Sequence, residues 1–253
     1  MIFIEKQKKT PHLLLKFIAL QRSINIHPKY KDLDRQLLTE LDDVLFQEQK
    51  GLCCYCMQKL PEESTLRKRE HFLPQSKFKL DEVNYYNLYL VCTDDRSFEQ
   101  KKIENTQGTN TGHCDDSEKA KGDKLISKYI GHPDCETFFH YNTKGEIIPR
   151  KVTYYDWDKW KGKEEGYTIQ LFERDPEVAQ ILSTLYILNL NEDELVKKRK
   201  MIVDEVINKL PRLTSKQLCE YEIEKYQSFA DKEPKPFAGV ILYFLKQKLN
   251  TFK

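Results

Sequence analysis

The sequence predicts an α+β protein: a short metal-motif segment of strands and knuckles, led in by an N-terminal helix and followed by an all-helical region. Three observations carry that prediction. Cys53 and Cys56, separated by two residues, are followed at a distance by Cys92 and Cys114. Between the two pairs lies Glu70-His71, in a stretch of extended character ending near Pro74. From Pro176 onward, apolar residues recur at helical spacing.

The elements follow in order. Residues 2–5 are expected to form a short strand and residues 11–21 a short helix. Leu33, Leu37, Leu38, Leu41, Val44 and Leu45 recur at helical spacing, with Gly51 as the stop, and this helix delivers the chain into the first cysteine pair. Residues 53–60 should be a knuckle, 66–72 a strand, 87–92 a second extended or short helical piece, and 115–129 a helix. The polar stretch between Cys92 and His113, with Asn105, Gly108, Asn110 and Gly112, reads as a surface insertion. Residues 138–141 and 146–149, joined by Asn142-Thr143-Lys144-Gly145, have the pattern of a hairpin. Residues 154–166, rich in aromatics and lysine, match no element pattern.

In the C-terminal part, Val178, Leu182, Leu185, Tyr186 and Leu188 mark one helix. Leu195, Ile202, Val203, Val206, Ile207 and Leu210 mark a second, ended by Pro211. Thr214-x-x-Gln217 has the form of a capping box and opens a third. Residues 236–249 make a fourth, apolar enough to be buried. The chain therefore divides at 1–52, 53–130, 131–170 and 171–253, the last packed on the motif segment or offered to a partner.

Composition narrows the class. Apolar residues make up 39% of the chain, below the usual ~45–50%, and charged residues reach 32%, which together imply a soluble protein with a modest core. Residues 1–9 lack the apolar core of a secretory signal. The longest apolar run, residues 237–245, is less than half of the roughly 20 residues needed to span a bilayer. A cytoplasmic protein without membrane association is expected. Seven cysteines, an odd number, fit a disulfide framework poorly and a metal site better. A net charge of +2 gives no global field for nucleic acid. Arg67-Lys68-Arg69 and Lys119, Lys121 and Lys124 are local basic clusters, and taken alone they read as solvated faces.

Cys53 and Cys56 can aim both sulfurs at one ion from a single tight turn. Cys92 and Cys114 are the natural second pair, although 21 residues lie between them. Four thiolates make a closed structural zinc site with no position open to substrate. Cys54 points elsewhere in such a knuckle, Cys135 and Cys219 read as buried thiols, and His113 is an alternative ligand.

The enclosed residues have the chemistry of phosphodiester cleavage. A neutral histidine at His71 can take a proton from water. A carboxylate at Glu70 can hold a divalent ion against a phosphate. Consecutive residues of a regular strand face opposite sides, so the two serve one site only at a strand end, for which Pro74 is the signal. Asn87 does not titrate, and its work is a hydrogen bond that orients His71 or the loop carrying it. A carboxylate from residues 115–118 completes the metal shell.

Cys-x-x-Cys, Glu-His-Phe-x-Pro-x-Ser, Asn-Leu, Cys and His-Cys-Asp…Lys-Gly, in that order, resemble a zinc-bearing HNH endonuclease of the ββα-metal type. Residues 45–56, the Phe139-His140-Tyr141…Gly145 hairpin and Ile187-Leu188-Asn189-Leu190-Asn191 are similar to the PtuB subfamily, the HNH components of Septu anti-phage systems and of some retron defence operons. The motif region spans about 80 residues and is the more specific part of the likeness. The resemblance implies a ββα-metal HNH core, with His71 as general base, Asn87 as the central asparagine and Glu70 as a Mg²⁺ or Mn²⁺ ligand. The family's last metal-binding position, usually Asn or His, falls here on an acidic stretch. Asp116 and Glu118 are the candidates, with Asp115 and His113 as alternatives. Arg67, Arg69 and Lys121 become candidate nucleic-acid contacts. The implied partners are a DNA, RNA or tRNA substrate, a PtuA-type ABC ATPase and, in some operons, a retron reverse transcriptase with its nucleic acid. A zinc-stabilised adaptor whose HNH site has lost activity is the alternative.

Overall fold

A computed structural model describes residues 2–63, 67–93, 112–117, 133–227 and 235–252. The chain is mixed α+β and mostly helical, with two small antiparallel sheets of two strands each among the described residues.

Residues 2–5, expected as a strand, join no sheet. Their alternation does pack Ile2 and Ile4 against the core, but the segment is fastened by a side chain and not by a ladder. The Lys6 ammonium donates to the Leu88 carbonyl, lies 3.4 Å from Glu48, and sits 4.5 and 4.3 Å from the ring centres of Tyr85 and Tyr89. Helix α1 (His12–Ser23) follows, then α2 (Arg35–Glu48), whose first turn is capped by Asp34 accepting from the Leu37 N–H at 2.8 Å. Helix α2 buries Leu37, Leu41 and Leu45, and Lys50 and Gly51 at positive φ swing the chain towards Cys53.

Strand β1 (Lys68–His71) pairs antiparallel with β2 (Leu88–Val91), placing Glu70 opposite Tyr89 and His71 opposite Leu88. Every residue of β2 is buried, which explains its unbroken apolar sequence. The buried Gln49 imitates a neighbouring strand: its amide donates to the Leu90 carbonyl at 2.7 Å and accepts from the Leu90 N–H at 2.6 Å. Cys114–Asp116 is a single 3-10 turn where the start of a helix was expected, and the rest of that expected helix, from residue 118, lies outside the described residues. Most of the expected insertion, residues 94–111, lies outside them too.

The expected hairpin is present as β3 (Phe139–Tyr141) and β4 (Ile147–Pro149), entered from the one-turn helix α3 (Cys135–Phe138). Asn142 closes its turn by accepting from the N–H groups of Lys144 and Glu146. Gly145, at φ +86°, sits so close to the next layer that a Cβ there would lie 2.5 Å from the Val196 carbonyl oxygen. Residues 154–166 contain α4 (Tyr154–Trp160) and the start of α5 (Glu164–Leu171), each too short to display a helical period in sequence.

Four longer helices follow: α6 (Pro176–Ile187), α7 (Asp193–Lys209), α8 (Lys216–Gln227) and α9 (Ala238–Asn250). The hydroxyl that accepts from the first turn of α8 belongs to Ser215, which bonds the Leu218 N–H, one residue beyond the Thr214 of the predicted box. Helices α6, α7 and α9 share one core with α2, β2 and the cysteines, through Leu185, Leu195, Val203 and Val240. Backbone bonds make the join direct: the Cys114 N–H donates to Leu188 at 2.8 Å, and the Phe237 N–H to Met57 at 2.9 Å. The C-terminal helices are therefore packed on the motif segment. No helix among the described residues is long and apolar enough to cross a membrane.

Candidate metal centre and the two faces of the Glu-His strand

The first cysteine pair sits in a tight loop. The Cys53 N–H donates to the Gln58 carbonyl, the Met57 N–H to the Cys53 carbonyl, and the Gln58 N–H to the Cys56 sulfur at 3.5 Å. Met57 takes φ +64° to close it. The second pair is delivered from two directions, Cys92 from the end of β2 and Cys114 from the turn anchored on Leu188. All four residues are buried, and their sulfurs lie within 4.8 Å of one another, with Cys53–Cys114 at 3.8 Å and Cys56–Cys92 at 3.6 Å. A tetrahedral zinc thiolate with bonds near 2.3 Å needs sulfurs roughly 3.8 Å apart, so donor type, number and spacing all fit. The four cysteines form a cluster able to bind a metal ion such as zinc. His113 is buried with Nδ1 3.8 Å from the Cys92 sulfur, beside this set and not within it.

Strand alternation divides β1 into two faces. On the face towards the knuckle, Glu70 accepts from the Tyr55 hydroxyl at 3.0 Å and is in hydrogen-bond contact with Asp115. Lys68, on the same face, reaches Asp115 at 2.5 Å and Asp116 at 2.8 Å. Burial, and then the negative charge of Asp115, push the Glu70 carboxyl up to about 8 against the opposing Tyr55 hydrogen bond and Lys68 charge. Two carboxylates in contact, steadied by one ammonium, are oxygen donors of the kind a hard divalent cation takes.

The other face carries Arg69 and His71. His71 stands edge-on to Tyr30 at 4.6 Å, and its Nε2 lies 2.9 Å from the Glu82 carbonyl. The same Nε2 lies 2.9 Å from the side-chain amide nitrogen of Gln75. The carbonyl calls for a proton on Nε2 and the amide for a lone pair, so the two contacts favour opposite tautomers. Burial holds the imidazole below its ordinary 6.5, so it is neutral at physiological pH. Asn87 spans the loop that follows: its Oδ1 accepts from the Leu73 N–H at 2.6 Å, and its Nδ2 donates to the carbonyls of Leu73 at 3.1 Å and Asp81 at 3.2 Å.

Several sequence expectations are corrected by these placements. His71 is still within the ladder, so the strand does not turn between Glu70 and His71, and the two side chains have separate sets of partners. Asp115, an alternative in the sequence reading, is the acidic residue whose charge acts on Glu70, and Lys68 ties Asp116 to it. Arg67 is not a free phosphate contact: its side chain is 4% exposed, lies over the Phe46 ring at 3.7 Å and donates to the Pro61 carbonyl. Arg69 is likewise engaged, with Asp42 and the Tyr30 hydroxyl, each at 2.6 Å. Glu118 and Lys121 lie outside the described residues. Tyr55 and Lys68 act on Glu70 without being marked as its partners by the motif. The signal for Tyr55 was its place inside the cysteine loop, and for Lys68 its spacing of two from Glu70 on a strand. A cavity of about 720 Å³ opens elsewhere, beside Lys6, Glu48 and Cys54, and is lined by neither Glu70 nor His71.

No protein-family model matches the chain, and no curated protein matches it significantly.

The Glu70 environment predicts a pH-dependent stability. A carboxyl whose pKa is raised in the fold, here from 4.5 to about 8, favours the folded state at low pH and loses that contribution as pH rises through the folded value. Glutamine mimics the protonated carboxyl. Glu70→Gln without added Mg²⁺ is therefore expected to be more stable than the natural protein at pH 8.5, with the gap shrinking towards zero by pH 5. Thermal unfolding across that range measures it, and a constant gap would refute the assignment.

Proposed function

We propose that the chain is a metal-dependent HNH endonuclease that hydrolyses phosphodiester bonds of DNA or of RNA, including tRNA. It acts as the effector of an anti-phage complex with a PtuA-type ABC ATPase, with a retron reverse transcriptase and its nucleic acid in some settings. The observation that carries this reading is the Asn87 side chain, which fixes both amide groups of Leu73 and so holds the loop leaving His71. A non-titrating residue that secures the loop behind a neutral imidazole suits general-base work. His71 takes the proton of the attacking water on its imidazole ring. Asn87 keeps the imidazole and its loop in place.

The four cysteines hold a structural zinc with no open position, and their role is to join β2, the Cys114 turn and the knuckle. Glu70 and Asp115, with Asp116, are the oxygen donors for Mg²⁺ or Mn²⁺. When bound, that ion supplies charge stabilisation to the leaving oxygen. Lys68 steadies the acidic pair until a cation arrives.

The second reading, a zinc-stabilised adaptor, is favoured by the separation of Glu70 and His71 onto two faces and by the engagement of Arg67 and Arg69 within the protein. Reconstitution with the ATPase, Mg²⁺ or Mn²⁺, and plasmid DNA, single-stranded DNA and tRNA decides between them. Cleavage by the natural chain that is lost in His71→Ala supports the nuclease. Equal cleavage by both removes His71 as base, and no cleavage of any substrate supports the adaptor.

A further inference from the structure

Arg199 lies in the middle of α7 and is wholly buried, yet no carboxylate among the described residues lies within salt-bridge distance of it. Its Nε donates to the Gly145 carbonyl at 2.7 Å and one terminal nitrogen to the Asn191 side-chain oxygen at 3.1 Å, while the other terminal nitrogen has no hydrogen-bond partner among the described residues. Both acceptors are neutral. A buried cation in this state costs several kcal/mol unless a negative charge lies near.

The surroundings identify that charge. Leu195 and Val203, four residues to either side on the same helical face, belong to the buried cluster that contains all four cysteines. The preceding residue, Lys198, reaches the side-chain oxygen of Gln58 in the knuckle loop at 3.0 Å. Burial pulls the guanidinium down to about 10, still a cation at neutral pH, and the groups that oppose this pull are Tyr141, Cys56 and Cys114, with Glu192 after them. Four thiolates around a divalent zinc carry a net charge of −2. In a low-dielectric interior that dianion needs compensation as much as Arg199 does.

We propose that Arg199 is the internal counter-ion of the four-cysteine metal centre, a positioning residue that stabilises the thiolates in their metal-bound form. This rests on the cysteines holding zinc and is independent of the nuclease reading. With the metal bound, the two opposite charges offset each other inside the core. With four neutral thiols, Arg199 is left uncompensated, so metal loss and exposure of α7 are coupled.

The test uses the full chain loaded with Co²⁺, whose sulfur-to-metal charge-transfer bands report the electron density on the thiolates, together with the rate of zinc loss to a chelator. Arg199→Gln removes the charge and keeps a donor for Gly145 or Asn191. Arg199→Lys keeps the charge and loses the planar fork. Arg199→Gln is expected to move the bands to longer wavelength and to release zinc about 10-fold faster, at the lower end of what outer-shell substitutions cost in metal affinity. Arg199→Lys should leave the bands near their natural position. If both variants lose thermal stability equally and neither moves the bands, Arg199 is only an anchor for the hairpin and the proposal fails. The natural protein's own Co²⁺ spectrum tests the metal reading separately, since a chain without thiolate-bound Co²⁺ lacks those bands altogether.

Discussion

Replacing Cys56 with serine is expected to remove the bound zinc and unfold the chain, whereas Cys219→Ser keeps both the metal and the fold. The natural protein should carry about one zinc per chain. Structural zinc contributes on the order of 10 kcal/mol in small thiolate sites, comparable with the ~5–15 kcal/mol by which a whole domain is stable. Serine does not replace a thiolate, and three remaining sulfurs leave the site open to water. The damage would not stay local. The Cys54 N–H bonds the Leu90 carbonyl of β2, the Cys114 turn hangs on Leu188, and Met57 receives the Phe237 N–H at the entrance to α9. Each of these joins a different part of the chain to the metal centre. Cys219 belongs to a separate cluster, with Val206, Ile223 and Leu245, and its substitution should cost only the local packing. Metal analysis and thermal unfolding of the purified variants read both effects. Full zinc content and an unchanged melting temperature in Cys56→Ser would remove Cys56 from the ligand set.

The cysteine cluster was legible in the sequence because ligand type and close spacing are local chemical requirements, and they survive even the long gap between Cys92 and Cys114. Helices α2, α6, α7 and α9 were legible for a similar reason, since each buries one long face and so repeats its apolar residues. What is not legible depends on partners distant in the chain. Nothing in Arg67-Lys68-Arg69 indicates that Asp42 and Tyr30 will take Arg69, or that Phe46 will cover Arg67, and a basic run beside a carboxylate and histidine therefore reads as a phosphate contact. Gln49 and Arg199 are buried polar residues whose partners lie far away in the chain or off the helix, Leu90 of β2 for Gln49 and the Gly145 carbonyl and Asn191 side chain for Arg199. The Glu70-His71 pair shows the opposite failure. Strand alternation separates the two residues and Pro74 signals an early turn that would reunite them, but the Leu88 pairing keeps His71 in the ladder.

That pairing sharpens the expected outcome for the proposed base. His71→Ala is expected to lower cleavage by about 10²- to 10⁴-fold in the reconstituted complex, the usual worth of a positioned general base. The fold should survive, because the imidazole contributes only polar contacts with the Glu82 carbonyl and the Gln75 side chain and an edge contact with Tyr30, together worth on the order of 1–2 kcal/mol. The natural protein should show a rate that rises with pH and levels off below the ordinary histidine value of 6.5, since burial lowers His71 and only its neutral form accepts a proton. The residual rate of His71→Ala should lose that inflection. Glu70→Gln, assayed beside it, separates two geometries. If both variants abolish cleavage, substrate and cation must draw the two faces of β1 together at its C-terminal end, where Asn87 holds the following loop. If only His71→Ala does so, the reacting phosphate lies on the Tyr30 and Glu82 side, and the acidic pair beside the knuckle serves the fold. A natural protein whose pH–rate profile has the same inflections as that of His71→Ala would exclude His71 as the base in either geometry.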